Sequence, residues 1–418
     1  MLLIETILNK CYKFKSFVYR NSRLEEEKSG LKIVVDVLPR KNSQGLCSQC
    51  LKKGSVYDHL EERRFLFIPL WGFKVEFCYR PRRIDCPSCG AKIEWLPWAD
   101  GKGHLTNAFR IFLARWAKRL SWKETGKVFG VSWDTVRHAI EYVVSYGLAH
   151  RCLDNVQSIG VDEIQYKSGH TYLTLVYQID VFCRRLLWIG EDRKAKTLLR
   201  FFRMLGKART LNVKAVCSDM WKPYMKVIRK KAINAIHVLD RFHIMKYFND
   251  AIEKTRREET RELKKDGYEE ILKNSRWALL KKKKNLKESQ LAKLKDLLQY
   301  NLKTMKCYLL RESFQKFWEY KSPFWAKTFL NRWTFVAMRS KVEPIKDVAK
   351  MLRRHEELIL NWFRMKNRLS NGIVEGFNNK AKLTVRNSYG FKSFKIIELA
   401  LYHTLGDLPE PELTHKFT

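Results

Sequence analysis

Two adjacent acids, Asp162 and Glu163, stand inside a stretch that otherwise has the pattern of a buried strand, IGVDEIQYKSGHTYLTLVYQID, residues 159–180. Carboxylates are depleted from strand interiors, and burying one without a partner is costly. Strand alternation places Asp162 on the same face as Gly160, and Glu163 on the opposite face. Only one of the two acids can therefore share its face with a metal site.

Two further acids have contexts that suit the same chemistry. Asp219 follows the strand-like run VKAVCS, and Glu375 lies in the helical pattern NGIVEGFNNKAK. Two aspartates on strands and one glutamate on a helix can converge on two Mg²⁺ or Mn²⁺ ions, which prefer carboxylate oxygens. Such a pair of ions activates a water or sugar hydroxyl and stabilises the leaving oxygen in phosphoryl transfer. An isolated aspartate is more often a helix cap or an ion-pair partner, so spacing alone leaves both interpretations open.

Four of the ten cysteines form two CxxC pairs. Zinc prefers four thiolates in a tetrahedron, and a CxxC turn presents two sulfurs to one ion. The residues between the pairs include RFLFIPLWGFKVEFCYR, whose strand-turn-strand pattern is a hairpin that can bring the pairs together. The pattern predicts a structural zinc site, because four protein ligands leave no open position for substrate; four unrelated buried thiols are the alternative. The predicted ligands are Cys47, Cys50, Cys86 and Cys89, and the arginines beside the second pair that suit phosphate contact are Arg80, Arg82 and Arg83.

A helical region follows, with the run SWKETGKVFGVSWDTVRHAI. Ser121 is placed to cap one helix, Gly130 to make a turn, and Ser132 to cap a second helix. These are the components of a helix-turn-helix that reads DNA, although an ordinary helical hairpin has the same pattern. The residues near the groove-facing end would be Trp133, Thr135, Arg137 and His138.

The charge balance points to a polyanionic partner. The 418 residues include 82 Lys and Arg against 44 Asp and Glu, a formal net charge of +38. Nucleic acid is the first candidate for such an excess. No apolar run approaches the roughly 18 residues that a membrane-spanning helix needs, and the N-terminal residues lack a signal-peptide core. We therefore expect a protein that stays in the cytosol and does not bind membranes.

Several motifs, in this order, resemble those of the ISL3-type insertion-sequence transposases. They are RPRRIDCPSCG with its four cysteines, the predicted helix-turn-helix, VDEIQYKSGHTYLTLVYQID, VCSDMWKPYMKVI, HVLDRFHIMKYFNDAI and SNGIVEGFNNKAKLTVRNSYGF. The resemblance covers the chain from about residue 45 onward. It implies a multidomain α/β protein with an RNase H-like core, a DDE triad and a helical insertion between the second Asp and the Glu.

Matched motif by motif, the resemblance makes Asp162, Asp219 and Glu375 the triad that holds two Mg²⁺ (or Mn²⁺) ions. The implied domains are a four-cysteine zinc module (1–98), a helix-turn-helix domain (99–152), the first part of the RNase H-like core (153–247), a helical insertion (248–366) and the second part of the core (367–418).

Other residues near these motifs have less defined roles. Glu163 is interpreted as structural or as a support for the metal ligands. Asp240 and His243 belong to an Asp-Arg-Phe-His tetrad near the expected site, where a metal-supporting role, a contact with DNA and a structural cap are all open. Helical spacing places three residues on roughly the face of Glu375, where they can hold the phosphate backbone or form a solvated basic stripe: Asn379, Lys382 and Arg386.

The sequence therefore predicts a DNA transposase that binds terminal inverted repeats, cleaves them and joins them to target DNA. Because two ends must be held together, a dimer or larger assembly is expected. Two other classes of protein compete: a non-catalytic DNA-binding regulator built from the same modules, and an RNase H-like nuclease acting on RNA or hybrids. Metal-dependent cleavage separates the transposase from the regulator, and a comparison of DNA with hybrid substrates separates it from the nuclease.

Overall fold

A computed structural model of the protein describes residues 3–27, 30–167, 169, 171–268, 270–281, 283–365, 371–387 and 393–412. Parts of the segment 367–418 that the sequence assigned to the core, residues 367–370, 388–392 and 413–418, lie outside the described residues. The chain divides into two compact units, one of residues 1–151 with 387–418 and one of residues 152–386. The division into five domains stays a prediction, and the units are described in turn.

The first unit begins with a β-rich part. Its elements are α1 (Ile4–Cys11), β1 (Phe17–Glu27), β2 (Gly30–Pro39), β3 (Gly45–Leu46), β4 (Lys53–His59), β5 (Arg63–Leu70), β6 (Phe73–Tyr79), β7 (Arg82–Cys86) and β8 (Gly90–Ile93). The strands form two four-stranded sheets, ordered β1-β2-β6-β5 and β3-β4-β7-β8. The strand-turn-strand pattern predicted between the cysteine pairs is confirmed by β5 and β6.

An aromatic core holds the first of these sheets. Trp98 is fully buried, and its ring packs edge-on against Phe17 and Tyr79. Phe67 and Phe77 stack across the β5–β6 hairpin, with ring centroids 4.6 Å apart. Aromatic pairs of this kind add to the stability that burial alone supplies, so this sheet has a core of its own.

Helices complete the first unit: α2 (Asn107–Trp116), α3 (Trp122–Phe129), α4 (Trp133–His150) and, from the end of the chain, α16 (Phe394–Leu405). The predicted helix boundaries are confirmed: Ser121 caps α3 in a capping box, Gly130 ends it with φ +64°, and Ser132 caps α4. Helix α16 belongs to this unit because it packs on α4, and the buried His403 ring bonds the Ala114 carbonyl of α2.

The second unit is built on one five-stranded sheet, ordered β11-β10-β9-β12-β13. Its strands are β9 (Ser158–Lys167), β10 (Thr171–Ile179), β11 (Arg184–Glu191), β12 (Ala215–Ser218) and β13 (Ile236–Leu239). Strands β9, β10 and β11 form an antiparallel meander, whereas β12 pairs parallel to β9 and β13 parallel to β12. The parallel pairs require crossovers, which the helices between the strands provide.

Helices account for the rest of this unit. They are α5 (Ala195–Leu205), α6 (Lys207–Leu211), α7 (Lys222–Lys231), α8 (Arg241–Lys265), α9 (Arg276–Leu280), α10 (Glu288–Leu297), α11 (Lys303–Gln315), α12 (Pro323–Arg339), α13 (Glu343–Arg354), α14 (Glu356–Arg364) and α15 (Asn371–Asn387), with short 3-10 turns at Lys283–Asn285 and Lys316–Glu319. Helices α5 and α7 share a core with Val161 of β9, and α8 to α14 enclose a separate aromatic core that includes Phe248, Phe314 and Trp333.

Helix α15 lies against the other face of β9. A methyl group added at Gly160 would meet Val374 Cγ2 at 2.5 Å, so the absence of a side chain allows this close approach. Tyr177, which is paired with Gly160 across β9 and β10, stacks its ring on Phe377 of α15. Helices α5 and α7 therefore pack on one face of β9 and α15 packs on the other, which is the face that carries Asp162. Among the described residues, none of the helices is both long and apolar enough to cross a membrane.

Candidate active site and metal centres

The register of three parallel strands aligns three aspartates. Val161 of β9 is paired with Ser218 of β12, and Ser218 with Leu239 of β13. The next residue in each case is an aspartate: Asp162 within β9, and Asp219 and Asp240 directly after β12 and β13. All three side chains are at least nine-tenths buried. Strands β12 and β13 end side by side, and β9 runs on past them, so the register places Asp162 next to two acids from distant parts of the chain.

Asp162 is held through both carboxylate oxygens. The backbone N–H of Glu163 donates to Oδ1 at 2.8 Å. The side-chain amide of Asn378, on α15, donates to Oδ2. Burial raises the pKa of Asp162, and Asp240 and Asp219 add to the rise because their charges repel a third carboxylate. A cation would relieve that repulsion, so the position favours a metal.

Asp219 is paired with an arginine that sequence reasoning did not find. The Arg193 guanidinium, just before α5, bonds Asp219 Oδ2 at 2.7 Å and Glu163 Oε1 at 2.9 Å. It also lies over the Trp221 ring, 4.8 Å from its centroid. Burial raises the pKa of Glu163 to about 8, despite the arginine. Glu163 and Asp219 therefore share one arginine, and the structural or metal-supporting role of Glu163 stays a prediction.

Asp240 has two tasks in the structure. Its Oδ1 caps helix α8 by accepting the Phe242 N–H at 2.9 Å, and its Oδ2 lies 3.0 Å from His243 Nδ1. Burial lowers the pKa of His243, but the bond to Asp240 and the nearby Asp162 outweigh it and raise the pKa to about 9. Ligand atoms of Asp162, Asp240 and His243 all lie within 4.8 Å of one another. The tetrad is thus both a cap and part of the acidic cluster.

Glu375 stands apart from the aspartates. It is an exposed residue of α15, three positions before Asn378. The ligand atoms that lie within 4.8 Å of one another belong to Asp162, Asp240 and His243, and among the described residues Glu375 is not part of that group. Three residues that follow it on the same helix are exposed, as a role in contacting phosphate requires: Asn379, Lys382 and Arg386.

The four paired cysteines meet at one point. Their sulfurs all lie within 4.8 Å of one another, and those of Cys50 and Cys86 are 3.4 Å apart. Backbone N–H groups of Cys50 and Gln49 lower the pKa of Cys47 to about 7, whereas bonding with Cys50 raises the pKa of Cys89 to about 12. Four sulfur donors in so small a space fit a tetrahedral zinc ion.

The hairpin expected to bring these pairs together does not do so. Strands β5 and β6 do form an antiparallel hairpin, but they belong to the sheet with β1 and β2. The cysteine pairs are joined by the pairing of β4 with β7 and of β7 with β8. The cysteine pairs are thus brought together by pairing between strands that the sequence pattern does not identify as partners.

The three arginines beside the second cysteine pair have different surroundings. Arg80 is exposed. Arg83 is half-buried and bonds Asp58 from Nε at 2.8 Å. Arg82 is buried, and its guanidinium donates to Glu94 and to the Ser43 carbonyl. The phosphate contact predicted for Arg82 is therefore replaced by a bond network inside the protein, because every face of that guanidinium meets a protein acceptor or the core.

The candidate DNA readers at the start of α4 are also partly engaged. Trp133 is 52% exposed, and Thr135 bonds the capping Ser132. Arg137 bonds Asp134 at 2.8 Å and Glu141 at 3.2 Å, and His138 lies 3.5 Å from Asp134. These ion pairs are on the helix surface, where such pairs are weak and exchange readily with an incoming phosphate or base.

Comparison with known proteins identifies the family of this chain. A model of the ISL3-type DDE transposase family, described as "Transposase", matches residues 159–401, which include all five strands of the second unit and α15. The chain therefore belongs to the ISL3 family of transposases. The transposase of insertion sequence element IS1001 from Bordetella parapertussis is 29% identical, over 83% of this chain and 85% of that protein. The transposase of IS1557 from Mycobacterium tuberculosis is 28% identical, over 94% of each chain. The protein is a DNA transposase, of a family that cleaves nucleic acid with divalent metal ions.

Proposed function

We propose that this transposase binds the terminal inverted repeats of its insertion sequence, cleaves them and transfers the strands to target DNA. In this proposal Asp162, Asp219 and Glu375 are the catalytic triad and hold two Mg²⁺ (or Mn²⁺) ions. The observation that carries it is the row of buried aspartates at the edge of β9, β12 and β13. A buried row of carboxylates is costly unless cations neutralise it.

The core is proposed to be RNase H-like. Three antiparallel strands followed by two parallel ones, with acids on the first and fourth in chain order, support this assignment. The helices α8 to α14 would then be the insertion that separates Asp219 from Glu375. Their separate aromatic core is consistent with an inserted unit.

The chain's own residues have separable roles in the proposed reaction. The divalent cations of such sites activate the attacking oxygen and stabilise the leaving oxygen of the phosphodiester. Asp162 and Asp219 supply carboxylate oxygens from the sheet, and Glu375 supplies one from α15. Arg193 neutralises Asp219 and Glu163. The burial of Asp162 excludes water from its carboxylate, which strengthens each electrostatic interaction there.

Separate modules are proposed to recognise DNA. Helices α3 and α4 have the caps and the turn of a helix-turn-helix, and the start of α4 offers Trp133, Thr135, Arg137 and His138 to a groove. The four cysteines would hold a structural zinc ion that shapes the surface carrying Arg80 and Arg83. On α15, Asn379, Lys382 and Arg386 would hold the phosphate backbone. A net charge of +38 supports binding that weakens steeply with salt.

A dimer or larger assembly on DNA is also proposed. Both ends of an element must be cut and joined together, so at least two active sites have to work at one place. Sedimentation of the protein with and without a duplex containing the transposon end measures this directly. A single protein chain on each duplex, under conditions that support strand transfer, would contradict the assembly.

The test of the triad separates cleavage from binding. Asp162→Asn and Glu375→Gln remove one ligand charge each with almost no change in volume, so they should abolish Mg²⁺-dependent cleavage of an end-containing duplex and leave its binding intact. Asp347→Asn is the matched control, because Asp347 is an exposed residue of α13 whose ion pair, among the described residues, is with Lys350 three positions along the helix. Full cleavage by Asp162→Asn would refute the triad. Binding without any cleavage by the unaltered protein would indicate a DNA-binding regulator.

A further inference from the structure

We propose that Asn378 is a positioning residue for the Asp162 carboxylate, and that the Tyr177 hydroxyl sets the orientation of the Asn378 amide. This inference rests on the proposed role of Asp162 as a metal ligand. The three side chains form one chain of hydrogen bonds, from Tyr177 to Asn378 to Asp162. All three are buried, with Tyr177 wholly so and Asn378 only 5% exposed.

The direction of each bond in this chain follows from the chemistry of the groups. An ionised carboxylate only accepts, so the side of Asn378 that faces Asp162 is the NH₂ group. The carbonyl oxygen of the same amide then faces Tyr177, whose O–H donates to it over 2.8 Å. If the Asn378 amide were flipped, its oxygen would oppose the carboxylate. The tyrosine hydroxyl favours the productive orientation over the flipped one.

The consequence for Asp162 is a carboxylate fixed on both sides. The Glu163 backbone N–H holds Oδ1, and the Asn378 amide holds Oδ2. A carboxylate has about four acceptor positions, so two such bonds leave about two for cations. Rotation of the carboxylate about its last side-chain bond would break both hydrogen bonds. Groups that orient a metal ligand in this way contribute to metal affinity without touching the ion.

The same contacts tie the carboxylate to the docking of α15. Phe377 stacks on the Tyr177 ring, with centroids 4.9 Å apart, and Val374 meets the bare backbone of Gly160. Asn378 and Glu375 are three residues apart, so they lie on adjacent positions of one helix surface. A helix seated by these contacts orients Asp162 and delivers Glu375 at the same time. The packing of α15 on β9 thereby positions two proposed metal ligands, Asp162 on the strand and Glu375 on the helix.

The experiment measures metal affinity as well as activity. The full-length protein is bound to an end-containing duplex, and Mn²⁺ binding to the complex is followed by electron paramagnetic resonance of the free ion. The Mg²⁺ concentration that gives half-maximal cleavage is measured in parallel. Asn378→Leu, which keeps the volume and removes both hydrogen bonds, should weaken Mn²⁺ binding about 10- to 100-fold. It should raise the half-maximal Mg²⁺ concentration by a similar factor, with much of the maximal rate recovered at high Mg²⁺.

Tyr177→Phe provides the conservative variant. It keeps the ring that stacks on Phe377 and loses only the hydroxyl, so a smaller effect of about 3- to 10-fold on Mn²⁺ binding is expected for one lost neutral hydrogen bond. Once Asn378 is replaced by leucine, the hydroxyl of Tyr177 has no amide to orient. The double variant should therefore bind Mn²⁺ with the same affinity as Asn378→Leu alone. Additive losses in the double variant would refute the relay, because independent structural damage adds.

Two controls separate the possible failures. Thr384→Val removes a side-chain hydrogen bond from the same helix away from Asp162, and Tyr19→Phe removes a buried tyrosine hydroxyl bond from the other unit. Both should leave Mn²⁺ affinity unchanged. If Asp162→Asn also leaves Mn²⁺ binding unchanged, the proposed metal site itself is wrong. If Asp162→Asn abolishes binding while Asn378→Leu and Tyr177→Phe bind Mn²⁺ normally, the positioning role alone is refuted.

Discussion

Removal of the metal from the four-cysteine site should open one sheet of the first unit and leave the other closed. The sheet β3-β4-β7-β8 has little apolar material of its own. Its buried cluster consists of Ile84 with Cys47 and Cys86, and the other two cysteines pack at its edge. The neighbouring sheet, in contrast, shares the aromatic core around Trp98. The two sheets therefore depend on the metal to very different degrees.

The magnitudes show which interaction dominates. Burial of a side chain such as Ile84 contributes about 2 kcal/mol. A structural zinc ion bound by thiolates contributes an apparent 10–16 kcal/mol at neutral pH in small zinc modules, by order of magnitude. Loss of only about 4 kcal/mol of that amount would lower the protection of an amide against exchange about a thousandfold. Bonds from Arg82 to Glu94 remain after metal loss and should limit the opening to the strands around the cysteines.

Hydrogen exchange followed by mass spectrometry can test this prediction. Zinc-loaded protein is compared with chelator-treated protein and with Cys86→Ser, and the metal content of each sample is measured. Peptides from β4 and from β7–β8 should lose protection, whereas peptides from β5 and β6 should keep it. Cys152→Ser, which alters an exposed cysteine outside the site, should retain both the metal and the protection.

One result would refute the reasoning. If metal-free protein exchanges as slowly as zinc-loaded protein in β4 and β7–β8, the sheet is stable without its metal. The four cysteines would then be ordinary buried thiols, which was the alternative open from the sequence. Global unfolding on metal removal would also contradict the prediction, because it would mean that the aromatic core cannot hold its own sheet.

Three further predictions concern other parts of the protein. Gly160→Ala should reduce Mg²⁺-dependent cleavage and cost about 1–3 kcal/mol in the free energy of unfolding, because its methyl group would meet Val374 at 2.5 Å and displace α15; cleavage at the unaltered rate would contradict this. Arg193→Met should lower the stability of the metal-free protein by about 2 kcal/mol, since the acids it pairs with stay buried, and Mg²⁺ should raise the melting temperature of this variant more than that of the unaltered protein. Burial lowers the pKa of His403 to about 4, below the 6.5 of an exposed histidine, so its contribution to stability is present above pH 6.5 and falls by about 3 kcal/mol as pH drops toward 4. Denaturant titrations of His403→Gln over that range should show a weaker pH dependence, and an equal one would contradict the assignment.

Features that depend on neighbouring residues were predictable from the sequence. The caps at Ser121 and Ser132 and the turn at Gly130 occur where the sequence placed them. The CxxC pairs likewise presented their sulfurs to one point. Helix caps, turns and CxxC knuckles are set by bonds between residues a few positions apart, so their residue types carry the information.

Features that depend on pairing between residues far apart in the chain could not be predicted from the sequence. The sequence grouped Arg82 with Arg80 and Arg83 as phosphate contacts. Only the tertiary structure showed that Arg82 is paired with Glu94. Arg193 lies outside the quoted motifs, and Tyr177 lies within one that assigns it no role; each acquires its role from a partner on another element. The role of Asn378 also comes from tertiary structure, which places its side-chain amide against the Asp162 carboxylate.

The acids show where the two sources of information meet. The sequence alone determined that Asp162 and Glu163 face opposite sides of a strand, because side chains alternate along any β-strand. It also determined, through its motifs, the family to which the chain belongs. Only the tertiary structure decided that Asp240 stands in one row with Asp162 and Asp219, because that row is created by the register of β9, β12 and β13. Register is set by the packing of a whole sheet, and no short run of residues contains it.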